Sequence, residues 1–436
     1  MIEIIIPKPV LADLADSLQA ETEKFAAVYF QQDDANGRLL LADFDVARQE
    51  ELTSATSIEV TVSAEFLMRV THRAREENLI LGLLHTHLHG YKAFSATDDG
   101  VEQALKAFVN HRLPDFPVYA LMLCDGEIIA RKFATRESVN VRVVGAVVAL
   151  PKSEESSTIP EQFDRQVRAF GADGQEKLAR MRVAIVGLGG TGSVAMQQLA
   201  HLGVGSIHLI DPDAIEITNL NRVVGSNTES VGRPKVEVAA NLIRVINPNA
   251  KISCHGESVV SRDLVAMLAS CDCIFSCTDS HVSRAFLSEI SYVYLVPVFD
   301  VGVAINIRDG EVSAVTGRAQ MLAPGLPCLI CSNSINGRAI REELMTPEER
   351  QADPYFSAGG VQQPAVISIN STMVSLAVTM FLAAFVGIPS AARWATYDAI
   401  KGTVRSVAGT SADDCPFCGS KEACAAGDSW PLSFLR

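Results

Sequence analysis

Hydrophobic residues recur at two different spacings in the first 150 residues. Apolar residues that alternate with polar ones, or that form short continuous runs, predict strands, and apolar residues three and four apart predict helices. The predicted strands are 25–30, 57–62, 79–84, 117–123 and 127–133. The predicted helices are 9–20, 63–78 and 97–110. Ser63 is suited to cap the second helix, and Asp125-Gly126 to connect the last two strands. This mixture predicts an α/β domain over residues 1–150.

Strand and helix patterns alternate more regularly in the second part of the chain, after a helical pattern at 159–170. The predicted strands there are 183–186, 206–210, 273–277 and 296–301. Strands that alternate with helices form largely parallel sheets with crossover connections. This part therefore predicts a Rossmann-like, mostly parallel, doubly wound α/β domain. A polar, proline-containing break at 151–162 predicts a linker, which we place at 151–160 between domains 1–150 and 161–436.

Composition and charge narrow the classes of partner. The 436 residues carry 37 basic and 51 acidic side chains, for a net charge of −14, so neither a nucleic acid nor an anionic membrane surface is expected. The longest apolar stretch, Met373 to Ile388, is short for a membrane span and predicts a buried helix. The N-terminus has no basic segment or cleavage site, which predicts a cytoplasmic protein with reduced cysteines. The acidic surface offers a docking site for a basic partner.

A group of metal-ligand residues follows the predicted strand 79–84. His85 and His87 are two residues apart, so in an extended segment their imidazoles point to the same side. Asp98, at the start of the next helix, would supply a third ligand and leave one position for water, as in a catalytic zinc site. Ser95 is suited to stabilise an oxyanion. The alternative is that both histidines are ordinary surface residues at the end of a strand.

The complete spacing, HxH followed by seven residues and SxxD, resembles the JAB/MPN/JAMM metallopeptidases, which remove ubiquitin-like proteins or trim their C-termini. The resemblance implies a catalytic zinc and a glutamate upstream of an apolar strand. Glu23 is the best match for that glutamate, with Glu21 and Glu65 as weaker candidates. The chain departs from the family in having Leu88 after the second histidine, and alanine where a glycine follows the glutamate. His89 is interpreted as a loop residue.

A glycine-rich turn, GLGGTG, follows the strand at 183–186. Gly187, Gly189 and Gly192 allow a tight turn and a close approach of the backbone to a phosphate at the start of a helix. Asp211 ends the next predicted strand, where a carboxylate can bind a ribose hydroxyl, and Asp213 is a weaker candidate for that role. These features alone fit a nicotinamide-dependent oxidoreductase equally well.

The neighbouring segments decide between these classes. The segments DPDAIEITNLNRVVGSNTESVGRPK and FDRQVRAFGADGQEKL resemble the ThiF/MoeB/HesA family of adenylating enzymes over about residues 161–420. The resemblance implies ATP and Mg²⁺ as cofactors. It gives the three glycines to the nucleotide loop, Asp211 to the ribose, and Asp279 to Mg²⁺. The residues that it implies for phosphate contacts are Asn219, Arg222 and Lys235. Arg165 would reach the triphosphate of a partner subunit, which implies a homodimer.

Two CxxC pairs, Cys328/Cys331 and Cys415/Cys418, supply four thiolates, which predicts a closed structural zinc site, and the family has the same pairs in the same order. A redox-active CxxC is the alternative. Related ubiquitin-activating enzymes often carry a nucleophilic cysteine in the crossover segment, here DPYFSAGGVQQPAVISIN, which has none. Cys424, on a tail expected to be mobile, is the remaining candidate for a thioester.

These observations predict ATP-dependent adenylation of the C-terminal glycine of a ubiquitin-like or sulfur-carrier protein. The first domain would be a JAMM-type zinc peptidase that trims or deconjugates the same carrier. The alternative is an adenylating enzyme that acts on a peptide or a small-molecule carboxylate, with the first domain as a binding module.

Overall fold

A computed structural model describes residues 2–88, 90–151, 158–346, 348–349 and 364–435. The first part of the chain forms a unit that we call the barrel. Its strands are β1 Glu3–Pro7, β2 Phe25–Asp33, β3 Arg38–Val46, β4 Leu52–Ala55, β5 Val60–Val62, β6 Ile80–Thr86, β7 Val118–Cys124, β8 Glu127–Lys132 and β9 Ser138–Val144. Its helices are α1 Lys8–Ser17, α2 Ala64–Glu76 and α3 Ala96–Arg112.

Seven of these strands close into a barrel in the order β1-β3-β2-β6-β7-β8-β9, and β4 and β5 form a separate hairpin. Strand β2 has two buried faces. Ala27 and Tyr29 pack with Phe66 of α2, while Val28 and Phe30 pack with Leu14 of α1. The mixed α/β prediction is therefore confirmed, although β1, β3, β4 and β9 were missed and the strand predicted at 57–62 is only the short β5.

The second part of the chain forms a unit that we call the sheet. Its strands are β10 Arg182–Val186, β11 Ser206–Ile210, β12 Lys251–His255, β13 Cys273–Ser276, β14 Val298–Arg308, β15 Glu311–Leu322, β16 Trp394–Asp398 and β17 Thr403–Ser406. Its helices are α4 Asp164–Arg180, α5 Gly192–His201, α6 Lys235–Ile246, α7 Arg262–Ser270, α8 His281–Val293, α9 Gly337–Leu344 and α10 Ile367–Phe385. Short 3₁₀ helices occur at Gln49–Glu51, Glu161–Phe163, Ile217–Asn219, Thr228–Ser230 and Gly427–Ser429.

The eight strands lie in the order β12-β11-β10-β13-β14-β15-β16-β17. Strands β10 to β14 make four parallel pairs, as predicted, and β14 to β17 add three antiparallel pairs that the prediction did not include. The helix predicted at 159–170 begins as a 3₁₀ turn and continues to Arg180. It is interrupted at Gly171, whose φ of +81° lies outside the helical range.

Helix α10 contains most of the apolar stretch that was predicted as a buried helix. It is long and apolar enough to span a membrane by length and composition, but half of its most apolar window is buried. Phe381 packs with its ring centroid 5.8 Å from that of Phe275 and 5.9 Å from that of Phe299. This packing confirms a core helix of the sheet unit.

The barrel and the sheet contact each other through buried charges. Arg142 of β9 lies 3.0 Å from Glu3 of β1 and 2.8 Å from Asp272, which precedes β13. Arg38 of β3 donates to the carbonyls of Ala269 and Ser270 at the end of α7. The two units therefore share an interface that does not depend on the predicted linker, of which residues 152–157 lie outside the described part of the chain.

Candidate functional site

The metal-ligand residues of the barrel come together at the end of β6. His85 is the penultimate residue of β6, the His87 N–H donates to the Leu123 carbonyl of β7, and Asp98 lies in the first turn of α3. The Nε2 atoms of His85 and His87 are 3.2 Å apart, and they lie 3.1 and 3.4 Å from the two carboxylate oxygens of Asp98. Three ligand atoms within 4.8 Å of one another suit a single ion.

Hydrogen bonds hold this trio in place. The His87 Nδ1 lies 3.0 Å from the Tyr91 carbonyl oxygen, which leaves Nε2 for a metal. Burial alone would raise the pKa of Asp98, but its hydrogen bond with His85 and the charge of that imidazole hold the pKa below its usual range. The carboxylate therefore stays ionised, as a metal ligand requires.

Glu23 lies next to the trio. It directly precedes Lys24, whose N–H donates to Thr86 Oγ1 at 2.9 Å. The Lys24 carbonyl accepts a hydrogen bond from the Thr86 N–H at 3.0 Å, at the end of β6. Its side chain is buried, whereas the weaker candidates Glu21 and Glu65 are exposed. Burial raises the pKa of Glu23, and the nearby imidazoles of the trio oppose that rise. Of the three glutamates considered, only Glu23 therefore combines burial with proximity to the histidines.

Ser95 is the N-cap of α3. Its Oγ accepts a hydrogen bond from the Asp98 N–H at 3.2 Å, and its own N–H donates to the Asp98 carboxylate. Capping uses a lone pair of the hydroxyl oxygen and leaves the proton free to be donated. Ser95 is thus fixed beside the candidate metal ligand. His89 lies outside the described residues.

The glycine-rich turn has the conformation that a phosphate loop requires. Gly187 has φ of +82°, and a Cβ there would come within 2.8 Å of the Cys277 carbonyl oxygen. A Cβ at Gly192 would lie 1.7 Å from the Gly187 carbonyl oxygen, so only glycine fits. Gly189 has no heavy atom near its missing side chain. The loop backbone is therefore closely packed at Gly187 and Gly192 and open at Gly189, three residues before α5 begins.

Carboxylates and a cation surround this loop. Asp211, at the end of β11, accepts hydrogen bonds from the Leu188 N–H at 2.6 Å and from the Asp213 N–H at 2.8 Å. Lys235, the first residue of α6, places Nζ 2.8 Å from Asp213 Oδ2 and 3.5 Å from Asp211 Oδ1. The structure therefore brings the loop, the predicted ribose ligand and Lys235 into one site.

The remaining predicted residues lie at different distances from the loop. The Arg222 side chain passes 3.2 Å from the Cβ position of Gly190, and Asn219 is buried with its Oδ1 bonded to the Glu216 N–H. Asp279 is exposed just after β13, one residue from Thr278, whose Cα borders Gly187. Arg165 is exposed on α4, and no described residue forms an ion pair with it. The contacts of the described residues therefore do not link Arg165 to the loop.

The four cysteines of the CxxC pairs meet across a long stretch of sequence. Cys328 Sγ lies 3.4 Å from Cys415 Sγ, and Cys331 Sγ lies 3.4 Å from Cys418 Sγ. Sulfur atoms bound tetrahedrally to zinc at 2.3 Å lie about 3.8 Å apart, so this cluster needs little adjustment to hold the ion. A hydrogen bond from Cys328 lowers the pKa of Cys418 to about 5, which favours a thiolate. The arrangement fits the predicted zinc clip.

The expectation for Cys424 is wrong in one respect. Its segment is anchored, because the Ala425 N–H donates to the Tyr292 carbonyl and the buried Glu289 accepts hydrogen bonds from Trp430 and Ser433. Burial raises the pKa of Cys424 to about 11, so its thiol is protonated at neutral pH. The crossover segment predicted to lack a nucleophile lies mostly outside the described residues.

Sequence reasoning missed a buried charge cluster on the antiparallel half of the sheet. Asp300 of β14 is fully buried and forms ion pairs with Arg284 of α8 and Arg318 of β15. The two arginines line a cavity of about 470 Å³. Their positions in the sequence carry no spacing signal, because the pairing of β14 with β15 brings them together.

A strand, a glycine loop and a helix, with an acid at the end of the next strand, define a nucleotide-binding α/β protein. The chain belongs to the ThiF family, whose model matches residues 163–417, more than half of the chain. That match begins after the barrel.

Relatives align over the same part of the chain. The molybdopterin-synthase adenylyltransferase of Escherichia coli strain K12 is 32% identical over 260 residues, which cover 59% of this chain and 96% of that protein. The sulfur carrier protein adenylyltransferase of Thermus thermophilus is 28% identical, over 60% of this chain and 92% of that protein. The solved structure of E. coli MccB with ATP gives a TM-score of 0.46 at 20% identity, over 60% of this chain and 75% of that chain.

Proposed function

We propose that residues 161–436 use ATP to adenylate the C-terminal glycine of a sulfur-carrier or ubiquitin-like protein. The arrangement of Lys235 and Asp211 around the glycine loop carries this proposal. The adenylyltransferase names of the relatives support it, since the similarity spans nearly the whole of those proteins. The carrier carboxylate would attack the α-phosphate of ATP, forming an acyl-adenylate as the bond to pyrophosphate breaks.

Each predicted residue of the nucleotide site would have a role in this reaction. The backbone at Gly187, Gly189 and Gly192 would hold the phosphates at the start of α5, and Asp211 would bind the ribose. Lys235 forms an ion pair with Asp213 in this structure. It would move to the phosphates, which Arg222 and Asn219 would also contact. Lys235 and Arg222 would stabilise the charge that builds up on the departing pyrophosphate, and the Asn219 amide would donate a hydrogen bond there. Mg²⁺ held by Asp279 would supply further positive charge there.

Arg165 would complete the site from a second subunit. It lies on the exposed surface of α4 in a single chain, and the ion-pair contacts of the described residues leave its guanidinium free to reach a neighbour. A homodimer would place this cation on the triphosphate of the partner. The proposed active form is therefore dimeric.

We also propose that the barrel is a zinc peptidase of the JAMM type. His85, His87 and Asp98 would hold the zinc ion, which activates a water molecule when bound. Glu23 would accept a proton from that water and return it to the leaving amine, a role that suits a buried carboxylate with a raised pKa. The Ser95 hydroxyl would donate a hydrogen bond to the oxyanion. The juxtaposition of three ligands with a buried glutamate favours this second function.

The acceptor of the adenylate would be supplied by another molecule. The sequence has no cysteine between Cys331 and Cys415, and Cys424 is half-buried with a pKa raised to about 11. We therefore propose no thioester on this chain. A peptide or small-molecule carboxylate remains the alternative substrate, with the barrel as a binding module.

Exchange of radiolabelled pyrophosphate into ATP tests the proposal, with carriers that end in an exposed glycine or in a short extension. Exposed carriers should stimulate exchange with both the native chain and His85→Ala, and masked carriers only with the native chain. Stimulation by peptides but by no carrier would favour the alternative substrate. No exchange with any carrier or peptide would refute adenylation. Zinc analysis separates the two metal sites, because the His/Asp and cysteine clusters should each hold one ion.

A further inference from the structure

Two helices begin at the glycine loop. Asn370, in the first turn of α10, lies against Gly190 of the loop, just before α5 begins. Further along both helices, the Gln198 side-chain amide of α5 donates to Ser375 Oγ of α10 at 2.9 Å. The two helices therefore run side by side in the same direction, and both of their N-termini lie at the loop.

The N-terminus of α10 favours negative charge nearby. Backbone N–H groups at a helix N-terminus carry a partial positive charge. The first turn of α10 contains no acidic residue, and the side chain of its N-cap, Val366, makes no cap hydrogen bond. Val366 and Ile367 are exposed, so this end of the helix is open. A phosphate at the loop would therefore be stabilised by two helix N-termini rather than one.

Asn370 carries a buried amide that lacks a partner. The residue is only 4% exposed, and no residue in the described part of the chain forms a hydrogen bond with its side chain. Buried polar groups are nearly always hydrogen-bonded, because an unsatisfied one costs folding free energy. The side-chain amide of Asn370 is therefore available to a ligand.

The amide nitrogen of Asn370 lies beside a cation of the nucleotide site. A Cβ at Gly190 would overlap the Asn370 Nδ2 and would come within 3.2 Å of the Arg222 Cδ. Asn370 and Arg222 therefore approach the loop backbone at the same point, and only a glycine leaves room for both. The Nδ2 group can donate hydrogen bonds but cannot accept them, so it suits an anion. A phosphate oxygen next to Gly190 would be within reach of both side chains.

We infer that the Asn370 side-chain amide donates a hydrogen bond to a phosphate of the bound nucleotide, beside Arg222. The inference rests on the proposed adenylation function and adds a residue of α10 to the nucleotide site. A hydrogen bond to a charged oxygen is stronger than one between neutral groups. The contact therefore strengthens the binding of ATP and contributes nothing to the binding of adenosine, which has no phosphate.

Two substitutions test this contact in the full chain. Asn370→Ala removes the donor, and Asn370→Asp keeps the shape but replaces the donor with a carboxylate. Calorimetric titration without any carrier should show that Asn370→Ala raises the Kd of ATP about 10–100-fold and leaves the Kd of adenosine unchanged. Asn370→Asp should raise the Kd of ATP further, because its charge repels the phosphates.

Three binding results would overturn the inference. The first is an unchanged Kd of ATP in Asn370→Ala. The second is an equal rise in the Kd of adenosine, which would mean that the loop as a whole is disturbed. The third is ATP binding by Asn370→Asp that is as tight as that by Asn370→Ala, because no phosphate would then face this side chain.

Asn247→Ala is the matched control. Asn247 is also buried, but its side-chain amide donates to the Val204 carbonyl at 3.1 Å, after the end of α6. Asn247→Ala should lower the midpoint of thermal unfolding and leave the Kd of ATP unchanged. Asn370→Ala should lower the midpoint less, because it breaks no hydrogen bond between described residues. An equal loss of stability in the two variants would assign Asn370 a structural role and overturn the inference.

Carrier-stimulated pyrophosphate exchange separates failure of this inference from failure of the proposed function. Unchanged ATP binding with a raised KM for the carrier in Asn370→Ala would assign the amide to the carrier, which overturns the inference and leaves adenylation intact. Asn370-dependent binding of ATP without exchange for any carrier or peptide would refute adenylation and leave Asn370 as a phosphate-binding residue. The expected result is a raised KM for ATP together with normal dependence on the carrier.

Discussion

Replacing Arg142 with methionine should destabilise the protein through the contact between barrel and sheet. The Arg142 side chain is only 9% exposed, and its guanidinium joins Glu3 of the barrel to Asp272 of the sheet. Methionine fills much of the same volume but leaves both carboxylates without this cation. The substitution therefore tests the charge and the hydrogen bonds more than the packing.

The structure sets the size of the effect. Removing one partner from a buried ion pair costs about 3–5 kcal/mol, because the remaining charge is left uncompensated. Here each carboxylate keeps a second partner: Glu3 retains Arg38 at 3.4 Å, and Asp272 retains the Arg182 N–H at 2.7 Å. We therefore expect a loss of about 2–3 kcal/mol in the free energy of unfolding.

Urea unfolding measures this loss, followed by far-UV circular dichroism and by the fluorescence of Trp394 and Trp430, which both lie in the sheet unit. Arg136→Met is the matched control, because Arg136 is 87% exposed and pairs with Asp99 at 3.0 Å. An exposed pair contributes about 0–1 kcal/mol. If Arg142→Met loses no more than Arg136→Met, the buried network does not stabilise the interface and the reasoning is wrong.

Three further predictions concern other parts of the molecule. Lys235→Met should lower carrier-stimulated pyrophosphate exchange by about 10²–10³-fold, whereas Arg233→Met, which removes a nearby exposed cation, should have little effect. Cys418→Ser should lower the zinc content by one ion per chain and leave the His85 site loaded, whereas the control Cys254→Ser should lose none. Burial lowers the pKa of His208 to about 4, below its usual 6.5, so the neutral form is favoured in the folded protein and stability should fall as pH drops from 6.5 towards 4. Urea unfolding at pH 7.5 and pH 5 should show that His208→Asn abolishes about 1–2 kcal/mol of that pH dependence. An unchanged pH dependence in His208→Asn would contradict this prediction. A full zinc content in Cys418→Ser or unaltered exchange in Lys235→Met would contradict the other two.

The sequence predicted the candidate site residues where they lie close together along the chain. The HxH and SxxD spacing and the glycine loop each lie within a few residues of one another, so local patterns identify them. Strand β1 was missed because it is short and pairs in parallel with β3 and β9, which come later in the chain. The outer half of β14, up to Arg308, is largely exposed and lies beyond the predicted end of this strand at Val301.

Burial of the C-terminal segment could not be predicted from its own residues. Trp430, Leu432 and Phe434 pack against the core, where Glu289, on distant α8, accepts a hydrogen bond from the Ser433 N–H. A tail of mixed polar and apolar residues carries no periodic signal. The partial burial of Cys424 agrees with this packing, and so does the correction to its proposed reactivity.

The same C-terminal segment links the zinc clip to the barrel. Asp428 accepts a hydrogen bond from the Asp34 N–H of the barrel at 3.0 Å and another from the Tyr294 hydroxyl of the sheet at 2.9 Å. The neighbouring Gly427 is packed against the Gln32 carbonyl, where a Cβ would come within 2.9 Å. Cys418 lies a few residues earlier in the same segment. The cysteine cluster therefore lies at the start of a segment that contacts both units, and this segment adds to the interface that Arg142 forms with Glu3 and Asp272.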